Sequence, residues 1–78
     1  MKASLYHVQL NVLDQKGSAW YKEFFKFLQY KVISDGGGWT GYSNGTTDFW
    51  VAPVEGKHKK KTFHRKAAGV NHLAFFVK

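Results

Sequence analysis

The sequence predicts an α+β fold, in which one helix packs on a mixed sheet in the order β-α-β-β-β, loop, β. Three observations predict it: residues 5–12 alternate between apolar and polar, residues 15–28 carry apolar side chains at helical spacing, and Asn44-Gly45 separates two runs rich in strand-forming residues. These patterns are typical of a strand, an amphipathic helix and a tight hairpin, respectively. The length of 78 residues allows one small domain.

The first predicted strand is "LYHVQLNV", residues 5–12. Its apolar members fall on one side of the strand and are Tyr6, Val8, Leu10 and Val12. Its polar members fall on the other side and are His7, Gln9 and Asn11. We therefore expect one face of this strand to be buried and the other to be available to a ligand.

The predicted helix runs from about Gln15 to Leu28, and Asp14 is its expected N-cap. Its apolar face is formed by Trp20, Phe24, Phe27 and Leu28, opposite Lys22, Glu23 and Lys26. Gly17 weakens the first turn, so a later start near Ser18 is the alternative.

Three further strands follow: "YKVISD" at 30–35, "WTGYSN" at 39–44 and "TDFWVAPV" at 47–54. The first two are separated by the turn Gly36–Gly38, and Pro53 indicates a sheet edge or a strand end. Trp39, Tyr42 and Trp50 lie on adjacent strands of this hairpin. Some of these aromatic rings should face the helix as core, and others should line a small-molecule site.

Composition excludes several classes of protein. An aromatic content of 18% argues against a disordered chain, and the lack of cysteine excludes disulfides and thiolate metal sites. No apolar stretch approaches the length of a membrane span, so we expect a soluble, cytoplasmic protein.

The net charge of +7 is concentrated in one segment. Residues 57–66, "KHKKKTFHRK", hold six of the twelve cations and no acid. Such a run between strands is usually a solvated loop, and we expect the same of His58 and His64 within it. Nucleic-acid binding through this segment remains an alternative that depends on charge alone, and it is not favoured.

The end of the chain is similar to its beginning. When "NHLAFFV" (71–77) is set under "YHVQLNV" (6–12), His72 aligns with His7, and the two alternations agree in phase. The sequence therefore predicts a fifth strand at 70–77 that resembles the first strand of a second copy of the module.

These segments in this order resemble the glyoxalase/bleomycin-resistance/dioxygenase superfamily, also called the vicinal oxygen chelate proteins. The resemblance is carried by "HVQLNVLD", "AWYKEFFKFLQYKV", "GGGWTGY", "DFWVAPVEG" and "GVNHLAFFV", with Gln29 where that family usually has Gly. It implies a single domain over 1–78 that consists of a βαβββ module (1–55), a basic loop (56–69) and the first strand of a second module (70–78).

The resemblance also implies a site. In the family, two modules form a cupped sheet, and the first and fourth strands of each module supply metal ligands. His7 and His72 match first-strand ligand positions, so the implied cofactor is a divalent metal such as Zn, Ni, Fe or Mn. The fourth-strand ligand is not matched, because that strand offers Phe49, Trp50 and Val51. The residues expected to bind substrate are Gln9, Asn11, Trp39, Tyr42, Trp50 and Phe76.

Two functions therefore remain open beside the nucleic-acid alternative. One is metal-dependent lyase, isomerase or dioxygenase chemistry on a small oxygenated substrate, and the other is a metal-free module that sequesters a small molecule or drug. Because a lone module leaves its concave face and a sheet edge open, we expect either a homodimer that completes the cup, with exchange of the fifth strand as one route, or a fragment of a two-module protein.

Overall fold

The computed structural model describes residues 1–58, 60, 66, 68–70 and 72–78, apart from the side chains at 15 and 58. The elements in chain order are β1 (His7–Val12), α1 (Gln15–Phe27), β2 (Lys31–Gly36), β3 (Trp39–Ser43), β4 (Asp48–Pro53) and a short 3₁₀ helix (Gly56–His58). The predicted α+β class is confirmed, and the four predicted strands that precede residue 55 form within one or two residues of their expected bounds.

The strands form one mixed sheet in the order β1-β4-β3-β2. β1 and β4 are parallel, while β3 is antiparallel to both of its neighbours. In the β1–β4 pair, His7 lies opposite Asp48 and Gln9 lies opposite Trp50. Because residues that face each other across a ladder project from the same side of the sheet, this register decides which side chains can share a site.

Helix α1 is held at both ends by hydrogen bonds that its sequence provides. Asp14 Oδ1 accepts from the Gly17 N–H at 3.0 Å, so the cap is confirmed, and the helix begins at Gln15 as predicted and not at the alternative start near Ser18. At the other end Gln29 adopts a φ of 65°, and the N–H of Tyr30 donates to the carbonyl of Phe25 at 2.9 Å. This is the backbone arrangement that commonly ends helices.

The core lies between α1 and the sheet and is mainly aromatic. Phe25 is 1% exposed, and its ring lies 4.8 Å from Tyr42, 5.0 Å from Phe49 and 5.2 Å from Tyr30 between centroids. The alternation predicted for β1 is confirmed, because Val12 belongs to this core while His7, Gln9 and Asn11 are exposed on the opposite side.

The predicted fifth strand is not formed. Residues 72–78 have no regular secondary structure, and the described sheet has four strands. Phe75 instead packs on the helix side, 6.0 Å from Phe24 and 5.5 Å from Phe49 between ring centroids. Alternation shows only that a segment is able to pair. Here the apolar side chains of the segment contact the aromatic core, although the outer edges of β1 and β2 carry no described partner strand.

Two further expectations concern membrane-spanning helices and the basic segment. In the described part of the chain, no helix is long and apolar enough to cross a bilayer. The basic segment 57–66 falls largely outside the described residues, since 59 and 61–65 are not among them. The prediction that this segment is a solvated loop, and that His64 is solvated within it, therefore lies outside the described residues.

Candidate functional site

The sheet face opposite α1, which we name the open face, carries the polar side of β1. Its members follow from the register and are His7, Gln9 and Asn11 on β1, Asp48 and Trp50 on β4, and Trp39 and Gly41 on β3. No helix covers this face among the described residues, since α1 packs on the other side of β1 and β4. The open face is therefore the available surface for a ligand.

A depression of about 450 Å³ lies at one end of the open face. The described residues that line it are Gln9, Asn11, Trp39, Pro53, Val54 and Glu55. Three of the side chains expected from sequence to bind substrate are thus brought together. The volume falls within the usual range of small-molecule pockets, roughly 300–1,000 Å³.

Two neighbouring carboxamides form the polar wall of this depression. Gln9 Nε2 donates to Asn11 Oδ1 at 2.9 Å. No other described hydrogen bond involves either side chain, so the Gln9 oxygen and the Asn11 amide hydrogens stay available. The wall therefore offers an acceptor and a donor side by side.

Trp50 lies flat across the sheet beside the depression. A β-carbon added at Gly41 would stand 2.8 Å from Trp50 Cζ3 and 2.9 Å from Trp50 Cη2. The indole therefore occupies the space that a side chain at position 41 would need. Trp39, two residues before Gly41 on the same face, is 44% exposed and lines the depression directly.

The only charged side chain among the described lining residues is acidic. Glu55 Oε2 lies 3.5 Å from Lys57 Nζ, but both side chains are 73% exposed. An exposed ion pair of this kind is weak, and solvent likewise screens the effect of this carboxylate on a charged ligand, which is therefore modest. The depression thus presents neutral donors and acceptors, an indole surface and one negative charge.

One of the two metal ligands expected from the resemblance, His7, lies on the open face. It is exposed there, with Asp48 opposite it in the ladder. His72 is next to Leu73, which packs on the helix side with Leu10 and Phe75. Within the described residues, no group of three His, Asp or Glu side chains could hold a metal ion. A metal at His7 would therefore need donors beyond those that the described residues of one chain bring together.

Two residues expected to bind substrate lie elsewhere. Tyr42 is 3% exposed and stacks on Phe25 in the core, so it does not reach the open face. Burial, with a smaller effect of the Asp35 charge, raises the pKa of the Tyr42 phenol, while a hydrogen bond from Thr40 opposes the shift. Burial also raises the pKa of Tyr30. Phe76 is 92% exposed and lines a separate groove beside the C-terminal end of α1.

Sequence reasoning missed the contributions of Glu55, Pro53 and Val54 to the depression, and the position of Asp48 opposite His7. Pro53 is the β4 partner of Val12, so the end of β4 lies beside the end of β1. Parallel pairing brings these ends together. The signal available in the sequence was only that β1 and β4 both end in a polar or proline-containing turn.

Comparison with known proteins identifies one structural relative. The chain resembles a crystal structure described as a "putative glyoxalase" from Bacillus halodurans, with a TM-score of 0.78 and 30% sequence identity over 88% of this chain. The chain covers 53% of the length of that protein, or about half. No family model and no curated protein matches the chain.

The match takes in most of this chain, whose described elements are four strands and one packed helix in the order β-α-β-β-β. It agrees with the resemblance that the sequence motifs indicate. The chain therefore has the fold of one glyoxalase-type module, consistent with the glyoxalase/bleomycin-resistance/dioxygenase superfamily.

Proposed function

We propose that the chain is a small-molecule-binding module of the glyoxalase type and that the depression on the open face is its ligand site. The observation that carries this proposal is the meeting of Gln9, Asn11 and Trp39 around a volume of about 450 Å³. A concave surface with an aromatic wall and a few convergent polar groups is the usual form of such a site. His7 and Trp50, on the same face, extend the proposed site along the sheet.

Metal-free binding is the better supported of the two activities that the sequence left open. The site residues supply amides and indoles, which bind ligands by hydrogen bonding and stacking. We therefore place sequestration of a ligand first and metal-assisted lyase, isomerase or dioxygenase chemistry second.

A second copy of the chain is the proposed partner that completes the site. The structural relative is about twice as long as the region that this chain matches. In a homodimer, the open face of the second copy would lie against the open face of the first, so that each copy covers the site of the other. Nucleic-acid binding through residues 57–66 is not part of this proposal, because most of that segment lies outside the described residues.

Ligand-induced changes in NMR spectra test the proposal. A fragment library of small aromatic and oxygenated compounds should yield ligands whose shifts map to Gln9, Asn11 and Trp39. Trp39→Leu should lower the affinity for these ligands about tenfold, while Trp20→Leu should leave the affinity unchanged. Trp20 is the matched control, because its exposed indole lies on the helix side. Equal loss in both variants, or ligands that shift only helix-side resonances, would contradict the proposed site.

The metal-dependent alternative is favoured by one observation, the position of His7 opposite Asp48 on the open face. Imidazole and carboxylate are both ligands for Zn, Ni, Fe or Mn, and a second chain would have to supply the remaining donors. Elemental analysis after chelation and reloading should find metal in the wild type and a loss in His7→Ala if this alternative holds. Failure of Asp48→Asn or His7→Ala to change the metal content would exclude it.

A further inference from the structure

We propose that the depression on the open face selects an uncharged planar ligand that carries a primary amide or lactam, and that it discriminates against the isosteric carboxylate. This inference rests on the proposed function, since it names the class of ligand for the same site. Three independent features carry it: the paired carboxamides, the exposed indole and the single acidic residue at the rim.

The carboxamide pair determines which polar edge can bind. The bond from Gln9 Nε2 to Asn11 Oδ1 fixes the two side chains side by side. It leaves the Gln9 oxygen as an acceptor and the Asn11 amide as a donor. An amide or lactam edge presents the complementary donor and acceptor, so both groups can be satisfied at once. A carboxylate could accept from the Asn11 amide and the second Gln9 N–H, but it has no donor for the Gln9 oxygen, which would keep water as its partner.

The indole of Trp39 determines the shape of the ligand. It is exposed on the same face as the carboxamides and lines the same depression. A planar ring that places its amide against Gln9 and Asn11 can stack on this indole or meet its edge. A branched aliphatic amide would lose that contact.

The acidic residue at the rim contributes to the discrimination between an amide and a carboxylate. Among the described residues that line the depression, Glu55 is charged and none is basic. Lys57, at 3.5 Å from Glu55, is a neighbour of that carboxylate and is not among these lining residues. An anionic ligand would therefore meet repulsion inside the depression, whereas a neutral amide would not.

Benzamide and benzoate are the matched probes, because they differ by one group and one charge. Titrated at low ionic strength and followed by NMR shifts of Gln9, Asn11 and Trp39, benzamide should bind about threefold to fivefold more tightly than benzoate, which is the upper range of one exposed charge effect. Indole, which has a flat ring and no amide, is the third probe and should bind more weakly than benzamide.

Three variants separate the contributions. Glu55→Gln should narrow the difference between benzamide and benzoate to about twofold, whereas Glu23→Gln, on the exposed surface of α1, should not change it. Asn11→Leu should reduce benzamide binding to the level of indole. These positions are exposed, so the substitutions leave the core intact.

The outcomes distinguish this inference from the proposed function. If indole or other fragments shift the open-face resonances but benzoate binds as tightly as benzamide, the ligand class is wrong and the binding site stands. If Glu55→Gln and Glu23→Gln have the same effect on the affinity difference between benzamide and benzoate, Glu55 is not the source of that difference. If no probe or fragment shifts Gln9, Asn11 or Trp39, the proposed function fails and this inference fails with it.

Discussion

At the scale of single residues, the open face depends on one glycine. Gly41 lies opposite Trp50 in the β3–β4 ladder, and the indole of Trp50 occupies the space above it. A strand interior ordinarily disfavours glycine, because glycine loses the most backbone entropy and has no side chain to pack. At this position the missing side chain is what lets the indole lie flat beside the ligand site.

Gly41→Ala should destabilise the protein. The new β-carbon would come within 2.8–3.0 Å of three indole carbons, so the ring must shift, at a cost of about 1–3 kcal/mol in the free energy of unfolding. Urea unfolding measures this cost. Gly36→Ala is the matched control, because nothing lies within 4 Å of its added β-carbon, and it should be neutral or slightly stabilising. If a Trp50→Ala background fails to reduce the cost of Gly41→Ala, steric conflict with Trp50 is not its cause.

The residues of the site were partly predictable from sequence. Gln9 and Asn11 were assigned to the ligand side because strict alternation in β1 separates them from Val8 and Leu10. Trp50 and Tyr42 could not be separated in this way, since apolar residues lie on both sides of β3 and β4. Only the register places Trp50 opposite Gln9 and Tyr42 opposite Phe49. Register depends on long-range pairing, which the local pattern does not encode.

At the scale of elements, the residue that follows the C-cap of α1, Gln29, has a side chain, although the backbone conformation there favours glycine. Gln29 has a φ of 65°, in the left-handed region, and follows the C-cap Leu28. A residue with a β-carbon is strained in this region, whereas glycine is not. The superfamily pattern has Gly at this point, and the structure explains the preference physically.

Gln29→Gly should therefore stabilise the protein by about 0.5–1 kcal/mol, since the strain in the folded state exceeds the entropy that glycine adds to the unfolded state. Gln29→Ala keeps the β-carbon and is the control, expected to be close to neutral. Chemical unfolding of the three proteins gives the comparison. A destabilised glycine variant would mean that the Gln29 side chain contributes contacts that outweigh the strain.

The terminal segment, residues 72–78, is the element for which sequence reasoning was wrong. Its alternation matches β1 in phase, which indicated a strand. Leu73 and Phe75 instead line a groove on the helix side of the sheet, together with Leu10 and Trp20. A strand needs a neighbour to satisfy its backbone groups, and a pattern in one segment carries no information about whether that neighbour exists.

Two adjacent phenylalanines test the packing of the terminal segment. Phe75 contacts Phe24 and Phe49, whereas Phe76 is 92% exposed. Phe75→Ala should lower the free energy of unfolding by about 1–2 kcal/mol, because half-buried aromatic area is lost, and Phe76→Ala should change it by less than about 0.5 kcal/mol. Thermal and urea unfolding measure both. Similar effects in the two variants would show that the segment does not pack on the helix side in solution.

At the scale of the whole molecule, the chain exposes more surface than its mass requires. Its accessible surface is 6959 Å², whereas a compact monomer of 8.9 kDa exposes about 4,800 Å². Its radius of gyration of 13.7 Å likewise exceeds the value of about 11.5 Å typical of 78 residues. Large apolar side chains among the described residues, including Trp39 and Trp20, contribute to this surface.

These quantities leave surface to spare for association, and the edge strand beside the open face indicates where a second copy would meet this chain. A stable interface removes about 800 Å² from each partner, which is well within the surplus surface of this chain. The outer edge of β1 and the open face adjoin each other, so a second copy that meets both would cover an unpaired strand and complete the site. The helix side is less suited, because the terminal segment already lies against it.

Sedimentation equilibrium over a wide concentration range should therefore find a dimer of twice 8.9 kDa, with a Tm that rises with protein concentration. Trp39→Lys, which places a charge on the open face, should weaken the dimer at least about tenfold, because an unpaired charge would be buried on association. Trp20→Lys, on the helix side, is the matched control and should leave the dimer intact. A folded monomer at every concentration would contradict association, and a dimer weakened by Trp20→Lys alone would move the interface to the helix side and leave the ligand site uncovered.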